Sequence, residues 1–483
     1  MQTANPRRWM ALAVIALAQF MVIMDTSIIG VALPDIQQDL GFDQDNLSWV
    51  FNAYVIAFGG LLLLGGRLSD LLGAKRIFIA GWAILAVGSL IAGLANGPGI
   101  EIAGRAIQGA GAAFIAPSAL TLLMMLFNHE PREMTRALAL YGAAAPAGGT
   151  AGVFLGGVIT EWASWPWIFY INIPVALIAI AVAPRLMPGS TARRGTIDLA
   201  GAATATAGLA LAVFGIVRAP EQGWSSASTI ITLAGALALL AAFVLIQLKR
   251  KEPLVRLGIF RAPNLGAANL IQFLLGAAWI PMWFFLNLYL QQVLGLGAFE
   301  GGSALLPMTL TIMVLLLLIV PRVIGRFGFA TTTVTGLFVL AGGLAALSLV
   351  RPHGSFLVDV LPASLIAATG MALAFIPSLQ TALGSARPEE GGLASGIVGT
   401  SYQVGSALGL ASMTALATSQ GAAELGSLES LTNGFEAAFL GAAGIAIAAG
   451  LIAWITLHRR TTATPPTEPA TTDRLGEPQP TQV

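Results

Sequence analysis

Asp25 lies inside ALAQFMVIMDTSIIGVALP, residues 16–34, and a carboxylate in so apolar a run demands a chemical reason. A bilayer is crossed by roughly 20 apolar residues, and an acid near the middle of such a span costs at least ~2.5 kcal/mol to insert. The chemistry open to it there is binding and releasing a proton. A charge of opposite sign, Arg105, stands in a second apolar run at about 98–125. If the first run rises and the fourth descends, the two residues lie about nine and seven residues below the same surface, depths of roughly 13 and 10 Å. They therefore share a level. Burial favours the neutral acid and a nearby guanidinium favours the carboxylate, so a movement that alters their separation or hydration moves a proton on or off Asp25.

The elements that hold these residues follow from composition. Of 483 residues 56% are hydrophobic and 10% charged, with mean hydropathy +0.81, which excludes a soluble globular chain. The N-terminal MQTANPRRWMALAV resembles a signal peptide in its charges, but the apolar run continues to Pro34 without a small-residue cleavage site and is expected to stay as a first span. Apolar runs broken at charges, Gly/Pro pairs and loops give fourteen spans, at about 9–33, 48–68, 76–95, 98–125, 137–160, 167–186, 198–217, 228–247, 265–291, 301–324, 331–350, 356–380, 392–418 and 434–457. Close spacing leaves counts of twelve or thirteen open. With the N-terminus cytoplasmic, about 21 of the 24 basic residues fall inside, which puts both termini there. The Pro/Thr-rich tail from Thr461 has little to bury and is expected to be disordered.

Several classes are disfavoured. There is no cysteine, and His129, His353 and His458 lie at segment ends or in loops without partners at helical spacing, so no metal site or cofactor is expected. No basic block suggests nucleic acid, no GxxxxGK[ST] loop suggests ATP, and no His/Asp/Glu cluster recurs on a helix face as a membrane enzyme needs. Polar and aromatic residues within spans, namely Asn52, Tyr54, Gln272, Trp279, Trp283, Asn287, Tyr402 and Gln403, are candidates to line a central chamber.

An internal repeat is visible. Gly109 to Ser118 (GAGAAFIAPS) matches Gly370 to Ser378 (GMALAFIPS), and GRLSDLLG at 66–73 meets PRVIGRFG at 321–328, both eight spans apart. Two six-helix halves, 1–186 and 261–460, with an additional helix pair within 187–260 and a tail at 461–483, account for that offset.

The loop GGRLSDLLGAKRIF at 65–78 resembles the signature inner loop of the major facilitator superfamily at Gly66, Leu68, Asp70, Gly73 and Lys75, departing from it at Leu71 and Ala74. Arg105, Gln108 and Gly109 resemble that superfamily's arginine motif in proton-driven exporters. Gly148, Gly152, Gly156 and Gly157 resemble the antiporter motif, with Val153 where a proline is usual. MDTSIIGVALPDI at 24–36 and WPWIFYINIPVAL at 165–177 resemble the fourteen-helix drug/proton antiporters. The resemblance implies an all-α major facilitator fold that acts as a monomer among membrane lipids, exporting a lipophilic compound in exchange for protons, with Asp25 and Arg105 as the coupling pair. Uptake, a monovalent cation or a lipid as cargo, a membrane enzyme and a non-transporting sensor remain as rivals.

Overall fold

A computed structural model describes residues 7–44, 46–127, 131–189, 198–255, 257–262, 264–385, 391–424 and 426–458. His129, the tail and the side chains of Asp70 and His458 lie outside the described residues. Everything regular among them is helical. The chain runs through α1 (Arg8–Leu40), α2 (Trp49–Leu72), α3 (Ala74–Gly93), α4 (Pro98–Phe127), α5 (Pro131–Trp162), the short α6 (Trp167–Tyr170), α7 (Asn172–Leu186), α8 (Leu199–Gln222) and α9 (Ala227–Lys249). It continues with α10 (Leu265–Leu288), α11 (Ala298–Val314), α12 (Val320–Leu347), α13 (Leu361–Ser385), α14 (Gly391–Ala417) and α15 (Leu428–His458).

Twelve helical stretches among the described residues are long and apolar enough to cross a membrane, which makes this a multi-pass membrane protein. One of the twelve is the 50-residue run Ala298–Leu347, which is helical throughout except at Gly328 (φ 78°, ψ 170°). At 1.5 Å per residue a straight helix of that length would be about 75 Å long, more than twice the hydrocarbon thickness. Gly328 breaks it, as only a residue without a Cβ does readily. Its sequence neighbourhood is the 321–328 half of the internal repeat. The other half ends at Gly73 (φ 96°), which is the entire connection between α2 and α3.

Packing repeats as well. In the first half α1 lies on α5, α4 on α2 and α3, and α7 on α3; in the second α10 lies on α14, α13 on α11 and α12, and α15 on α12. The halves meet through α5 with α11 and α2 with α14, while α8 and α9 pair together and attach through α8 to α2 and α14. Small residues permit this closeness, as is usual in lipid, where packing rather than water drives association. A Cβ on Gly152 or Gly156 would sit 2.7 or 2.9 Å from the carbonyl oxygens of Met24 and Ile28, and one on Gly148 would strike that of Phe20. Gly157 turns the other way, toward Ala298 of α11 at 2.9 Å. Buried Val153, at the position where a proline is usual, offers its carbonyl to the same helix, 2.7 Å from where a Cβ on Gly302 would stand. The glycine run thus seats α5 on α1 and, one position on, on the opposite half.

At one end of the bundle, amides join the halves. Gln37 Nε2 donates to Gln44 (2.8 Å), Gln292 Nε2 donates to Gln37 (3.0 Å), and Gln291 Nε2 donates to the Val31 carbonyl (3.0 Å). The α8–α9 pair is clamped by Asp198, which caps α8 by accepting from the Gly201 N–H at 2.9 Å and also accepts from Gln247 (2.8 Å) and Arg250. Burial alone would raise the Asp198 carboxyl, but the Gly201 N–H, Gln247 and Arg250 together hold it below its ordinary value. A carboxyl depressed on folding stabilises above its unfolded pKa and loses that contribution as pH falls through the folded one. We predict that Asp198→Ala lowers stability by about 1–3 kcal/mol at pH 7. Thermal unfolding in detergent should show the gap to wild type narrowing below about pH 4; equal melting at pH 7 would contradict the assignment.

Candidate functional site: a buried ion pair beside an apolar cavity

Four helices converge on Asp25. It is fully buried on α1, and Arg105 of α4, also fully buried, donates from Nη1 to Asp25 Oδ2 at 2.7 Å. The other carboxylate oxygen accepts from Gln108 Nε2 (3.1 Å) and from Asn172 Nδ2 of α7 (2.8 Å). Gln108 also donates to Ser89 Oγ of α3 (2.8 Å), and its own carbonyl accepts from Arg105 (2.8 Å). Arg105 Nε donates to the Val50 carbonyl at the start of α2 (3.0 Å), and the guanidinium lies 4.6 Å from the Tyr54 ring centroid. Tyr54 is itself tied to α1 by its hydroxyl, which donates to the Val22 carbonyl at 3.4 Å.

Local sequence explains why these groups meet. Arg105, Gln108 and Gly109 fall on one face of α4, and Gly109 lets that face close on the α2 backbone, since a Cβ there would strike the Tyr54 carbonyl. Ser89 and Asn172 stand alone in the apolar stretches of their helices and gave no signal by spacing. Asn172 does lie within the stretch at 165–177, where it stands out as an amide in a run of aromatic and branched residues.

Glu101, in the first turn of α4 and absent from the candidate residues read from the sequence, is as fully buried as Asp25. It follows Gly97-Pro98-Gly99, which reads as a water-facing turn. The first turns of α4 are instead drawn against α3, where a Cβ on Gly104 would stand 2.7 Å from the Ala92 backbone nitrogen.

A cavity of about 240 Å³ lies against a different strip of α1 from the one that carries Asp25. Val22, Ile23, Thr26, Ser27 and Gly30 form its α1 wall; Trp279, Trp283, Asn287, Tyr402 and Gln403, five of the eight chamber candidates, also line it. The remaining three are elsewhere. Tyr54 stacks beneath Arg105, Asn52 is buried with both amide atoms unpaired, and Gln272 reaches Ser378 Oγ (3.0 Å) and the Phe375 carbonyl of α13. Their helices turn those faces toward neighbouring helices rather than the chamber. Among the described residues, no charged one lines the cavity.

The site has an energetic signature. Removing one partner of a buried ion pair costs about 3–5 kcal/mol, because the other charge is left uncompensated. We predict that Arg105→Ala loses that much. Arg105→Lys should fall between it and wild type, since one ammonium cannot serve Asp25, Gln108 and Val50 with a planar fork. Melting temperatures of the three purified proteins test the order, and three equal values would show that the pair holds nothing together.

Comparisons with known proteins bear on the fold and the family. Residues 15–410 match the Major Facilitator Superfamily. The cephamycin export protein CmcT of Amycolatopsis lactamdurans is 39% identical over 446 residues, covering 92% of this chain and 91% of that protein. The puromycin resistance protein pur8 of Streptomyces alboniger is 35% identical over 474 residues, covering 96% and 94%. Among solved structures, the POT family transporter PepTSo superposes with a TM-score of 0.68 over 95% of this chain and 99% of its own, at 15% identity, a likeness of fold alone. On a match that spans most of its length and relatives that cover nine-tenths of it, the chain belongs to the Major Facilitator Superfamily.

Proposed function

We propose that this protein exports lipophilic small molecules of the antibiotic kind across the cell membrane, exchanging them for protons by alternating access. It does so as a monomer of fourteen spans with both ends inside, two six-helix halves at 1–186 and 261–460, and an extra pair within 187–260. The break at Gly328 supports two spans within the continuous helical run Ala298–Leu347, and α14, 27 residues long, supplies another. Relatives that carry export and resistance in their names support the direction and the kind of cargo.

The observation that carries the mechanism is that α1 presents a proton site and a cavity wall together. Asp25 faces Arg105, Gln108 and Asn172, while Val22 and Thr26, three residues before it and one after, face the cavity. When Asp25 takes a proton it loses its charge, and the guanidinium loses its anion. The pair is then held by hydrogen bonds alone, so α1 is freed to shift against α4 and reshape the wall that touches cargo. Cargo entering the cavity displaces α1 in the reverse sense and restores the pair, which releases the proton. A cavity of about 240 Å³ is smaller than the roughly 300–1,000 Å³ of most ligand pockets, so it must open for a drug-sized molecule. Its uncharged lining favours neutral, weakly cationic or amphipathic compounds.

Everted vesicles test direction and coupling. Puromycin added outside energised vesicles should drive protons out of the lumen; protons entering with the drug would mean co-transport, and drug uptake with no proton movement would remove the coupling. Within the cavity, we predict that Trp283→Ala raises KM about tenfold with kcat little changed, the value of one good aromatic contact. A fall in kcat at constant KM would take Trp283 out of cargo binding.

A further inference from the structure

Glu101 and one nitrogen of Arg105 are left over from the site just described. Both carboxyl oxygens of Glu101 are buried without a hydrogen-bond partner among the described residues, and so is Arg105 Nη2. Neither side chain exposes any surface. A buried acid with no donor to stabilise its anion is best accommodated as the neutral acid. The two residues are four apart on α4, one turn, where side chains share a face and the rise is about 6 Å. Glu101 is also the member closer to water: Asn96, Gly99 and Ile100, just before it, are exposed. The charged groups that act on it are Arg105 on its own helix and Asp25 across from it on α1.

We propose that Glu101 is a second proton site, lying between the exposed α3–α4 turn and Asp25, and the alternative anion for Arg105. This rests on the proton-coupled reading of Asp25 and extends it. In the state described here Glu101 holds the proton and Asp25 holds the guanidinium. Transfer breaks the O–H bond at Glu101, forms one at Asp25, and leaves the charge on Glu101. Arg105 stays protonated throughout and turns its free Nη2 to the new carboxylate, so the trio is neutral before and after. The relay therefore carries a proton past an arginine without leaving any uncompensated charge, which an Asp25–Arg105 pair alone cannot do.

The test uses the full-length protein in liposomes, with Asp25→Asn, Glu101→Gln and Glu101→Asp beside wild type. Glu101→Gln should lower proton-driven uphill export by about tenfold or more, while drug-for-drug counterflow, which moves no net proton, stays near wild type. Glu101→Asp should recover a substantial part of the uphill rate. Infrared difference spectra of the purified wild type give an independent reading: a protonated carboxyl band at neutral pH that is missing in Glu101→Gln and shifted rather than lost in Glu101→Asp. Uphill export by Glu101→Gln at the wild-type rate, or equal losses of export and counterflow in both Glu101 variants with no such band in wild type, overturns the relay. If Asp25→Asn itself keeps uphill export, the coupling reading falls first; if Asp25→Asn stops it and Glu101→Gln does not, only the relay is lost.

Discussion

A carboxylate and a guanidinium 2.7 Å apart, both sealed from water, set the terms for the rest of this structure. Two isolated charges in such a place would be prohibitive, and even a pair repays its desolvation only when the remaining donors and acceptors are satisfied. Gln108, Asn172, Ser89 and the Val50 carbonyl do most of that here, leaving Arg105 Nη2 over, and they come from α4, α7, α3 and α2. Five helices of the first half are therefore oriented by one charge on α1. The same arrangement makes the site responsive, because neutralising that charge removes the reason for the whole set of contacts.

What can move is set by what ties the halves together. Around the ion pair the first half is packed backbone to backbone, through Gly109 on α2 and through the glycine ladder of α5 on α1. Between the halves, the amides of Gln37, Gln44, Gln291 and Gln292 make neutral hydrogen bonds, each worth on the order of 1 kcal/mol and each replaceable by water. Rigid halves with a weak, polar seam at one end are what rocking around a central cavity needs. The α5–α11 contact, in which Gly157 and Gly302 admit a close approach, provides a smooth surface on which that motion can turn.

Much of this was legible in the sequence because membrane cost is a strong filter. Asp25 and Arg105 stood out as charges in apolar runs, and equal depth was enough to pair them. The internal repeat of GAGAAFIAPS and GMALAFIPS marked α4 and α13, which take matching places, with Ser118 and Ser378 bonding back to carbonyls of their own helices in the same way. Depth says nothing about azimuth, however. Tyr54, Asn52 and Gln272 were assigned to a chamber that their helix faces turn away from, while Trp279, Trp283, Asn287, Tyr402 and Gln403 face it. Glu101 was hidden by its neighbours: a Gly-Pro-Gly turn advertises solvent, and only the packing of α4 on α3 takes the next residue out of it. The span count was left open between twelve and fourteen because neighbouring runs lie close together, and 301–324 and 331–350 prove to be parts of one helical run that a single left-handed glycine divides.

The central claim is that cargo and proton compete through Asp25, and proton release on binding measures it most directly. Purified protein in weakly buffered detergent solution, at a pH where wild type binds drug, should release protons as drug is added. The amount should diminish as the starting pH is raised. Asp25→Asn should bind the same drug with comparable affinity and release none through this site. Equal release from wild type and Asp25→Asn, with the same dependence on pH, would contradict the account and move the coupling away from the buried pair.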